Sequence, residues 1–155
     1  VASLVGSEMC IRDSSNTAYT FDINQITIEE KKEWFHQFKN SETSICLVGY
    51  ENDDLVGFVC STKFREKEAY NQSLETSVYI SEKFKGRGFG KKLMFELITR
   101  LKSTNIKNLY ALITYPNKTS INLHKTLNFT KVGILNNVGY KFKKYWSVHI
   151  YELKL

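Results

Sequence analysis

Residues 82–94, EKFKGRGFGKKLM, combine glycines with lysines and arginines in a pattern that could bind an anion. Gly86, Gly88 and Gly90 stand at every second position, and apolar residues at helical spacing follow them directly. Glycine allows a tight turn that brings backbone N–H groups close to an anion, and the helix dipole adds positive potential at the same place. The segment therefore predicts a phosphate-binding turn, with a simple helix-entry turn as the alternative.

Two common nucleotide-binding motifs do not fit this segment. A Walker A loop needs Ser or Thr after Gly-Lys, whereas Gly90 and Lys91 are followed by Lys92. The dinucleotide fingerprint G-x-G-x-x-G needs two residues in its second gap, whereas Gly88 and Gly90 have one residue between them. We therefore expect another kind of phosphate-binding loop.

Glu75 is the first candidate for acid–base chemistry. It lies in LETSVYI, a strand-like run in which alternation sends Glu75, Ser77 and Tyr79 to one face. Burial among apolar and aromatic residues would raise the pKa of this carboxyl group, as suits a general base. The alternative is an exposed glutamate on a half-solvated strand.

Polar residues after the next apolar strand form a second group of candidates. Asn117 and Ser120 surround the start of a short helix, where a turn residue and a helix cap are the simpler interpretation. His124 lies further along that helix, and a lone histidine is more often a packed or surface residue. We interpret His36 and His149 in that way.

Periodicity and turn signals give a mixed α/β fold. The predicted elements are a helix over 27–40 that opens with a capping box, a β-hairpin over 44–64 turning at 51–54, a strand over 74–81, a helix after the glycines, a strand over 108–114 buried on both faces, a short helix over 120–128, and strands over 129–135 and 146–155. An antiparallel start should turn parallel around the glycine segment.

Composition limits the class of protein. A chain of 155 residues with 42% hydrophobic residues is long enough for one globular domain, and no apolar run suggests a membrane span or a secretory signal. The three cysteines lack ligand-like spacing, which predicts reduced thiols in a cytoplasmic protein and no metal site. A net charge of +6 favours an anionic partner, namely nucleic acid, an acidic membrane or a phosphate-bearing cofactor.

The glycine segment, taken with its surroundings, resembles a known family. Residues 85–90, KGRGFG, are similar to the R/Q-x-x-G-x-G/A loop of the GNAT superfamily of N-acetyltransferases, with Lys85 where that family has Arg or Gln. NTAYTFD, IEEKKEWF, ETSVYISEKFKGRGFGKKL and YPNKTSINLHKTLNF together resemble the phosphinothricin and methionine sulfoximine acetyltransferase branch. The resemblance covers Thr17 to the C-terminus. It implies a GNAT-type mixed sheet with flanking helices, acetyl-CoA as co-substrate, a small amine or amino acid as acceptor, and a possible homodimer.

The resemblance also assigns catalytic roles. Acetyl transfer requires a deprotonated amine, a donor for the developing oxyanion and a proton for the departing thiolate. Glu75 stands where the family has its proposed catalytic glutamate, which implies a general base. His124 follows a leucine where many acetyltransferases carry a tyrosine that protonates the thiolate, which implies a general acid.

Cofactor-binding residues are implied in the same way. The backbone of Val78, Tyr79 or Ile80 should meet the thioester or the pantetheine arm, at a place where the strand separates from its neighbour. Asn117 and Ser120 should bind the same arm. The diphosphate should lie in the loop formed by Lys85, Gly86, Arg87, Gly88, Phe89, Gly90 and Lys91.

Acceptor binding is implied by a less complete match. KFREKEAY is similar to an F-R-x-R-x-x-Y loop, in which Arg65 matches the first arginine and Lys67 replaces the second. A guanidinium group suits a carboxylate or phosphinate, whereas a lysine supplies only a point charge. Two further departures leave the acceptor open, because Ser147 replaces an aspartate and Asn128 replaces a glycine of the branch.

The N-terminal residues do not fit the family. Residues 1–14, VASLVGSEMCIRDS, resemble the translated read-through of a sequencing adapter, with a genuine flexible N-terminus as the alternative. We therefore expect a non-native segment at 1–14, one acetyltransferase domain at 15–155, and the absence of the family's first strand.

Two other functions are compatible with the sequence. The positive charge and the tyrosines and phenylalanines could belong to a nucleic-acid-binding module, although no nucleic-acid-binding motif appears and core packing explains aromatic residues in apolar runs. A catalytically inactive coenzyme A-binding relative is the second alternative.

Overall fold

The computed structural model describes residues 17–21 and 27–155, and its elements follow the predicted order. The helices are α1 (Ile28–His36), α2 (Phe89–Lys102) and α3 (Lys118–Thr126), with short 3-10 helices at Glu68–Tyr70 and Glu82–Phe84. The strands are β1 (Cys46–Glu51), β2 (Asp54–Lys63), β3 (Ser73–Ile80), β4 (Asn108–Tyr115), β5 (Thr130–Lys141) and β6 (Lys144–Lys154).

The strands form one six-stranded sheet in the order β1-β2-β3-β4-β6-β5. Among the described strands, β3 and β4 form the one parallel pair, because α2 crosses between them, and the other four pairs are antiparallel. The predicted mixed sheet with an antiparallel start is therefore confirmed.

Alternation along the strands divides the sheet into two faces. The helix face is covered by α2 and α3, whose residues Met94, Leu97 and Leu101 pack with Leu74 and Leu109. We call the opposite face the Glu75 face. There, Phe58 and Tyr79 pack against Trp34 and Phe38, residues of α1 and the turn that follows it.

Helix boundaries differ from the sequence predictions for local reasons. The capping box at the start of α1 is present, with Thr27 N–H donating to Glu30 Oε2 at 2.8 Å. The α-helix ends at His36, however, and turns continue to Asn40, which adopts a φ of 60°. Helix α3 begins at Lys118, two residues earlier than predicted, because Asn117 caps it.

Strand β4 is buried less evenly than predicted. Leu109, Ala111 and Ile113 are buried on the helix face, whereas Tyr110 and Leu112 on the Glu75 face are half-buried. The prediction of burial on both faces was therefore wrong for one face, because α2 and α3 cover only the other.

The predictions for the N-terminus lie outside the described residues. These are the non-native segment at 1–14, the start of the domain at residue 15 and the missing first strand. Among the helices in the described ranges, none is both long and apolar enough to cross a membrane.

Candidate active site

The parallel strands β3 and β4 separate after a short paired stretch. The two strands are paired from Ser73 with Asn108 to Glu75 with Tyr110. Beyond these residues, β3 and β4 are not paired with each other. The Thr76 hydroxyl group donates to the Tyr110 carbonyl at 3.3 Å, at the point of separation. We call the opening between residues 76–80 and 111–115 the β3–β4 gap.

Backbone N–H groups of β3 point into this gap. In an antiparallel ladder, every second residue directs its N–H and C=O groups to the partner strand. Ser81 N–H donates to Val56 O of β2 at 2.8 Å. Tyr79 lies two residues before Ser81, so its backbone N–H and C=O groups also point toward β2. Val78 and Ile80 therefore turn their N–H groups toward the gap, as the family resemblance implied. Tyr79 turns its backbone toward β2, and its ring stacks on Phe58 at 4.8 Å.

The glycine loop forms an open turn at the end of β3. Gly86 and Gly88 have φ angles of 75° and 81°, a region that favours glycine, and a Cβ at either position would meet no heavy atom within 4 Å. Gly88 is the N-cap of α2, and the first intrahelical bond runs from Lys92 N–H to Gly88 O. The N–H groups of the first turn have no acceptor within the helix, so the loop offers backbone donors to an anion.

Gly90 joins this loop to the β3–β4 gap. A Cβ on Gly90 would lie 3.3 Å from Leu123 Cδ2 of α3 and 3.5 and 3.8 Å from side-chain atoms of Ile80 and Val78. The start of α2 therefore lies against the end of β3 and against α3. A ligand bound at the loop can continue directly into the gap.

The cations of the loop form exposed ion pairs. Lys83 pairs with Asp54, Lys85 with Glu82 and Arg87 with Glu51, each at 2.7 Å. Exposed pairs of this kind contribute little to stability, so a stronger anion can replace the carboxylates. The loop is anchored by Phe84, which is buried and lies against Phe89 with ring centroids 5.7 Å apart. Lys91 is exposed on the first turn of α2.

Asn117 and Ser120 lie at the same end of the gap, just beyond β4. Asn117 Oδ1 accepts a hydrogen bond from Ser120 N–H at 3.1 Å and caps α3. The capping role that the sequence allowed at Ser120 therefore belongs to Asn117. The carboxyl ends of parallel strands are the usual place for ligands in such sheets, and both residues are there.

Glu75 occupies the last paired position before the gap. Its side chain is half-buried, and burial raises the pKa of its carboxyl group while the charge of Arg65 opposes that rise. A carboxyl group with a raised pKa that still ionises is suited to accept a proton near neutral pH.

Two aromatic residues lie near Glu75 on the same face of the sheet. Arg65 lies over the Phe64 ring, 4.4 Å from its centroid, and donates to the Phe64 carbonyl at 2.8 Å. Phe64 in turn stacks on Tyr110 at 4.5 Å. The structure thus brings Arg65 close enough to influence Glu75. Lys67 is exposed at the N-cap of the 3-10 helix Glu68–Tyr70 and forms no ion pair within the described ranges.

Sequence reasoning missed the pair formed by Tyr110 and Glu152. The Tyr110 hydroxyl group donates to Glu152 Oε1 at 2.9 Å, and both side chains are half-buried. Burial, the hydrogen bond and the charge of Glu152 raise the pKa of Tyr110. A polar pair inside two β-strand patterns leaves no local signal, because the strand register brings the two residues together.

His124 is almost fully buried in α3. Its Nδ1 lies 2.8 Å from the Ser120 carbonyl oxygen, which can only accept, so Nδ1 carries the proton. Burial lowers the pKa of the ring, which stays neutral at pH 7. Nε2 is buried and makes no hydrogen bond within the described structure, and the ring packs edge-on against Phe129 at 5.0 Å.

A separate groove of about 730 Å³ runs beside α2. It extends from Lys91 past Phe95 to Lys102 and is closed by Asn128 and Leu153. Thr130 and Glu152 also line this groove, whereas Glu75 does not.

Comparisons with known proteins agree with this arrangement. Residues 7–150 match the family described as acetyltransferase (GNAT) domain. The chain is 35% identical to a phosphinothricin N-acetyltransferase of Streptomyces coelicolor over 90% of this chain and 82% of that protein. It is 26% identical to an L-methionine sulfoximine/L-methionine sulfone acetyltransferase of Pseudomonas paraeruginosa over 100% and 91% of the two chains.

A solved structure shows the same fold. The phosphinothricin acetyltransferase from Sinorhizobium meliloti, determined in complex with acetyl-CoA, superposes with a TM-score of 0.91 at 24% identity, covering 99% of this chain and 84% of that one.

The chain therefore belongs to the GNAT family of acetyltransferases. It is an N-acetyltransferase, and its co-substrate is acetyl-CoA. The family also explains Asn128, which has a φ of 66°, because asparagine is among the residues that tolerate this conformation when glycine is replaced.

The two glycines of the loop should respond differently to alanine. Gly88→Ala places a side chain at a φ of 81° and should weaken acetyl-CoA binding about tenfold, since the turn must distort. Gly90→Ala meets only the flexible Leu123 side chain at 3.3 Å and should change the affinity about twofold or less. Calorimetric titration with acetyl-CoA measures both, and equal losses at the two positions would contradict this account of the loop.

Proposed function

We propose that this acetyltransferase acylates the α-amino group of a small amino acid of the phosphinothricin or methionine sulfoximine type. The supporting observation is the placement of Glu75, with its raised pKa, at the mouth of the β3–β4 gap and beside the charge of Arg65. The names of two relatives supply the acceptor class. An α-amino acid offers an amine for Glu75 and a carboxylate for Arg65.

The groups that hold the coenzyme follow from the same geometry. Acetyl-CoA supplies an acyl thioester, which reacts directly with an unprotonated amine. Its diphosphate suits the backbone donors of the open loop at Gly86 and Gly88, where a Cβ would meet nothing. The N–H groups of Val78 and Ile80 are suited to the carbonyl oxygens of the pantetheine arm and of the thioester. Asn117 and Ser120 border the same end of the gap.

Glu75 acts as the general base in this proposal. An acceptor arrives as an ammonium ion, which has no lone pair, so a proton must leave before attack. The partly buried carboxylate accepts that proton, and the burial that raises its pKa increases its proton affinity. Direct attack of the free amine on the thioester then follows, with no acyl-enzyme.

We propose that His124 positions α3 and does not act as the proton donor that the resemblance implied. The neutral ring carries one proton, on Nδ1, and donates it to the Ser120 carbonyl group. The lowered pKa of the ring disfavours the doubly protonated form. A thiol has an ordinary pKa of about 8.5, so a thiolate can leave without a dedicated acid.

Nucleic-acid binding gains no support from the comparisons. The matching family and the relatives named above are acetyltransferases. The cytoplasm is the proposed location, because the spacing of the cysteines in the sequence predicts reduced thiols and structural disulfides belong to oxidising compartments.

A homodimer through the edge of the sheet is also proposed. β5 is an edge strand, and the β5–β6 hairpin exposes Ile134, Val138, Tyr140, Phe142 and Tyr145. Apolar edges of this kind usually mark an interface. Light scattering should give twice the chain mass of 18.0 kDa, and Val138→Lys should reduce it to the monomer mass. A monomer at all concentrations would overturn the proposal.

Replacing the proposed base tests the function directly. Glu75→Gln should lower kcat at least 100-fold, the contribution typical of a general base, while the acetyl-CoA affinity changes less than about twofold. Thiol release from acetyl-CoA with a panel of amino acids measures the activity. Glu66→Gln, at an exposed glutamate, is the matched control. Full activity of Glu75→Gln would exclude this carboxylate as the base.

The same variant should be at least as stable as the wild type at pH 7. The pKa of Glu75 is raised in the folded state, so the fold favours its protonated form. That contribution to stability is complete below the ordinary pKa of about 4.5 and is lost as the pH rises through the raised value. Glutamine removes the penalty of ionisation, and a clear fall in Tm at pH 7 would indicate damage to the fold instead.

Arg65 should control the pH dependence of the reaction. Its charge lowers the pKa of Glu75, so Arg65→Gln should move the acidic limb of kcat/KM to higher pH and raise the acceptor KM about tenfold or more. Arg65→Lys keeps the charge but loses the planar fork, so it should leave the limb in place and still raise KM. If the acidic limb of the kcat/KM profile lay at the same pH in Arg65→Gln as in the wild type, Arg65 would not be part of the site.

A further inference from the structure

Three polar side chains lie in a row across the Glu75 face. Glu75 is paired with Tyr110 across the parallel strands, and Tyr110 is paired with Glu152 across the antiparallel strands. Since neighbouring strands are about 4.8 Å apart, the Glu152 backbone lies roughly 10 Å from that of Glu75. We call Glu75, Tyr110 and Glu152 the polar row.

Tyr110 holds Glu152 in a defined position. The phenol donates to Glu152 Oε1 at 2.9 Å. The Tyr110 ring is itself held in place because it stacks on Phe64. Burial and the neighbouring carboxylate keep the phenol protonated, so it remains the donor in this pair. This bond engages Glu152 Oε1 and leaves Oε2 as a second hydrogen-bond acceptor.

The position of this charge determines what it can select. With the amine of an acceptor at Glu75 and its carboxylate at Arg65, the side chain must extend elsewhere on the same face. On that face Tyr110 contacts both Phe64 and Glu152, so Glu152 lies beyond the aromatic pair as seen from Arg65. On the neighbouring strand β5, Thr130 is paired with Glu152, and its side chain carries no charge that would compensate the carboxylate.

We propose that Glu152, held by Tyr110, selects the acceptor by the charge of its side chain. Neutral side chains with a hydrogen-bond donor are favoured, as in the sulfoximine N–H group, and anionic side chains such as the phosphinate of phosphinothricin are disfavoured. This inference rests on the proposed function, since it concerns the acceptor at the same site. It makes Glu152 a specificity-determining residue, and Tyr110 a positioning residue that acts through it.

The physical basis is the contrast between two acceptors of similar length. Phosphinothricin and methionine sulfoximine share an α-amino acid head and differ at the end of the side chain, where one is anionic and the other neutral. A half-buried carboxylate repels the first, and low local dielectric strengthens the repulsion. Rejection by an unfavourable charge is a common source of specificity when two ligands have the same shape.

The test compares kcat/KM for three acceptors in the full chain with acetyl-CoA. The acceptors are L-methionine sulfoximine, L-methionine sulfone, which is neutral but lacks the N–H donor, and L-phosphinothricin. The wild type should prefer the sulfoximine to phosphinothricin at least tenfold, with the sulfone between them. Glu152→Gln should reduce the preference to about threefold or less, mainly by gaining activity on phosphinothricin.

Two variants control the comparison. Tyr110→Phe keeps the stack on Phe64 but frees Glu152, so the preference for the sulfoximine over phosphinothricin should shrink, mainly through the KM values of the acceptors. Glu96→Gln removes a carboxylate from the exposed side of α2 and should leave the preference unchanged. Thermal unfolding of each variant shows whether the fold is intact.

The outcomes separate this inference from the proposed function. An active enzyme whose acceptor preference is the same in the wild type and in Glu152→Gln overturns the inference alone. The same holds if the wild type prefers phosphinothricin. If the wild type binds acetyl-CoA but acetylates none of the three acceptors, the proposed acceptor class is wrong, and the inference fails with it.

Discussion

The separation of β3 from β4 is the constraint on which the site depends. A parallel pair would normally satisfy the backbone groups of both strands, and unpaired N–H groups inside a protein cost free energy. Here pairing stops at Glu75 and Tyr110, so the N–H groups of Val78 and Ile80 have no ladder partner on that side. Such an opening is stable with a ligand that supplies acceptors along an extended chain. The pantetheine arm of coenzyme A has that character.

Other features of the fold follow from this opening. Helix α2 has to start where β3 ends, which brings the loop donors to the entrance of the gap and places Gly90 against Ile80 and Leu123. The Thr76 hydroxyl group donates to the Tyr110 carbonyl at the last paired position of the two strands. Glu75 is consequently fixed at the last paired position, with its side chain at the mouth of the opening.

Much of this could be predicted because it is encoded locally. The turn at the glycines, the apolar face of α2 and the alternation in β3 each depend on residues close in sequence, and the structure confirms all three as local structure. Element ends were less predictable, since the start of α3 depends on the Asn117 cap and the end of α1 on turns up to Asn40. The uneven burial of β4 depends on which face the helices cover, and an apolar run does not carry that information.

The relations between distant residues could not be predicted from the pattern. Tyr110 and Glu152 are separated by 42 positions, and only the register of β4 and β6 makes them neighbours. The state of His124 likewise depends on the proximity of the Ser120 carbonyl oxygen to Nδ1, which fixes the tautomer. The family resemblance assigned His124 a role by position, whereas its hydrogen bonding determines which protons it can give.

Proton affinity and stability are opposed at Glu75, and Arg65 sets the balance between them. Burial raises the pKa of this carboxyl group, which increases its proton affinity and makes its charged form costly for the fold. The guanidinium group opposes that shift without forming an ion pair that would occupy the carboxylate, because it lies over the Phe64 ring and donates to the Phe64 carbonyl group. A carboxylate bound to Arg65 would cancel part of its charge and raise the proton affinity of Glu75 further. The ammonium group of the same acceptor would lower the pKa of Glu75, so the two ends of an α-amino acid would act on this carboxyl group in opposite directions.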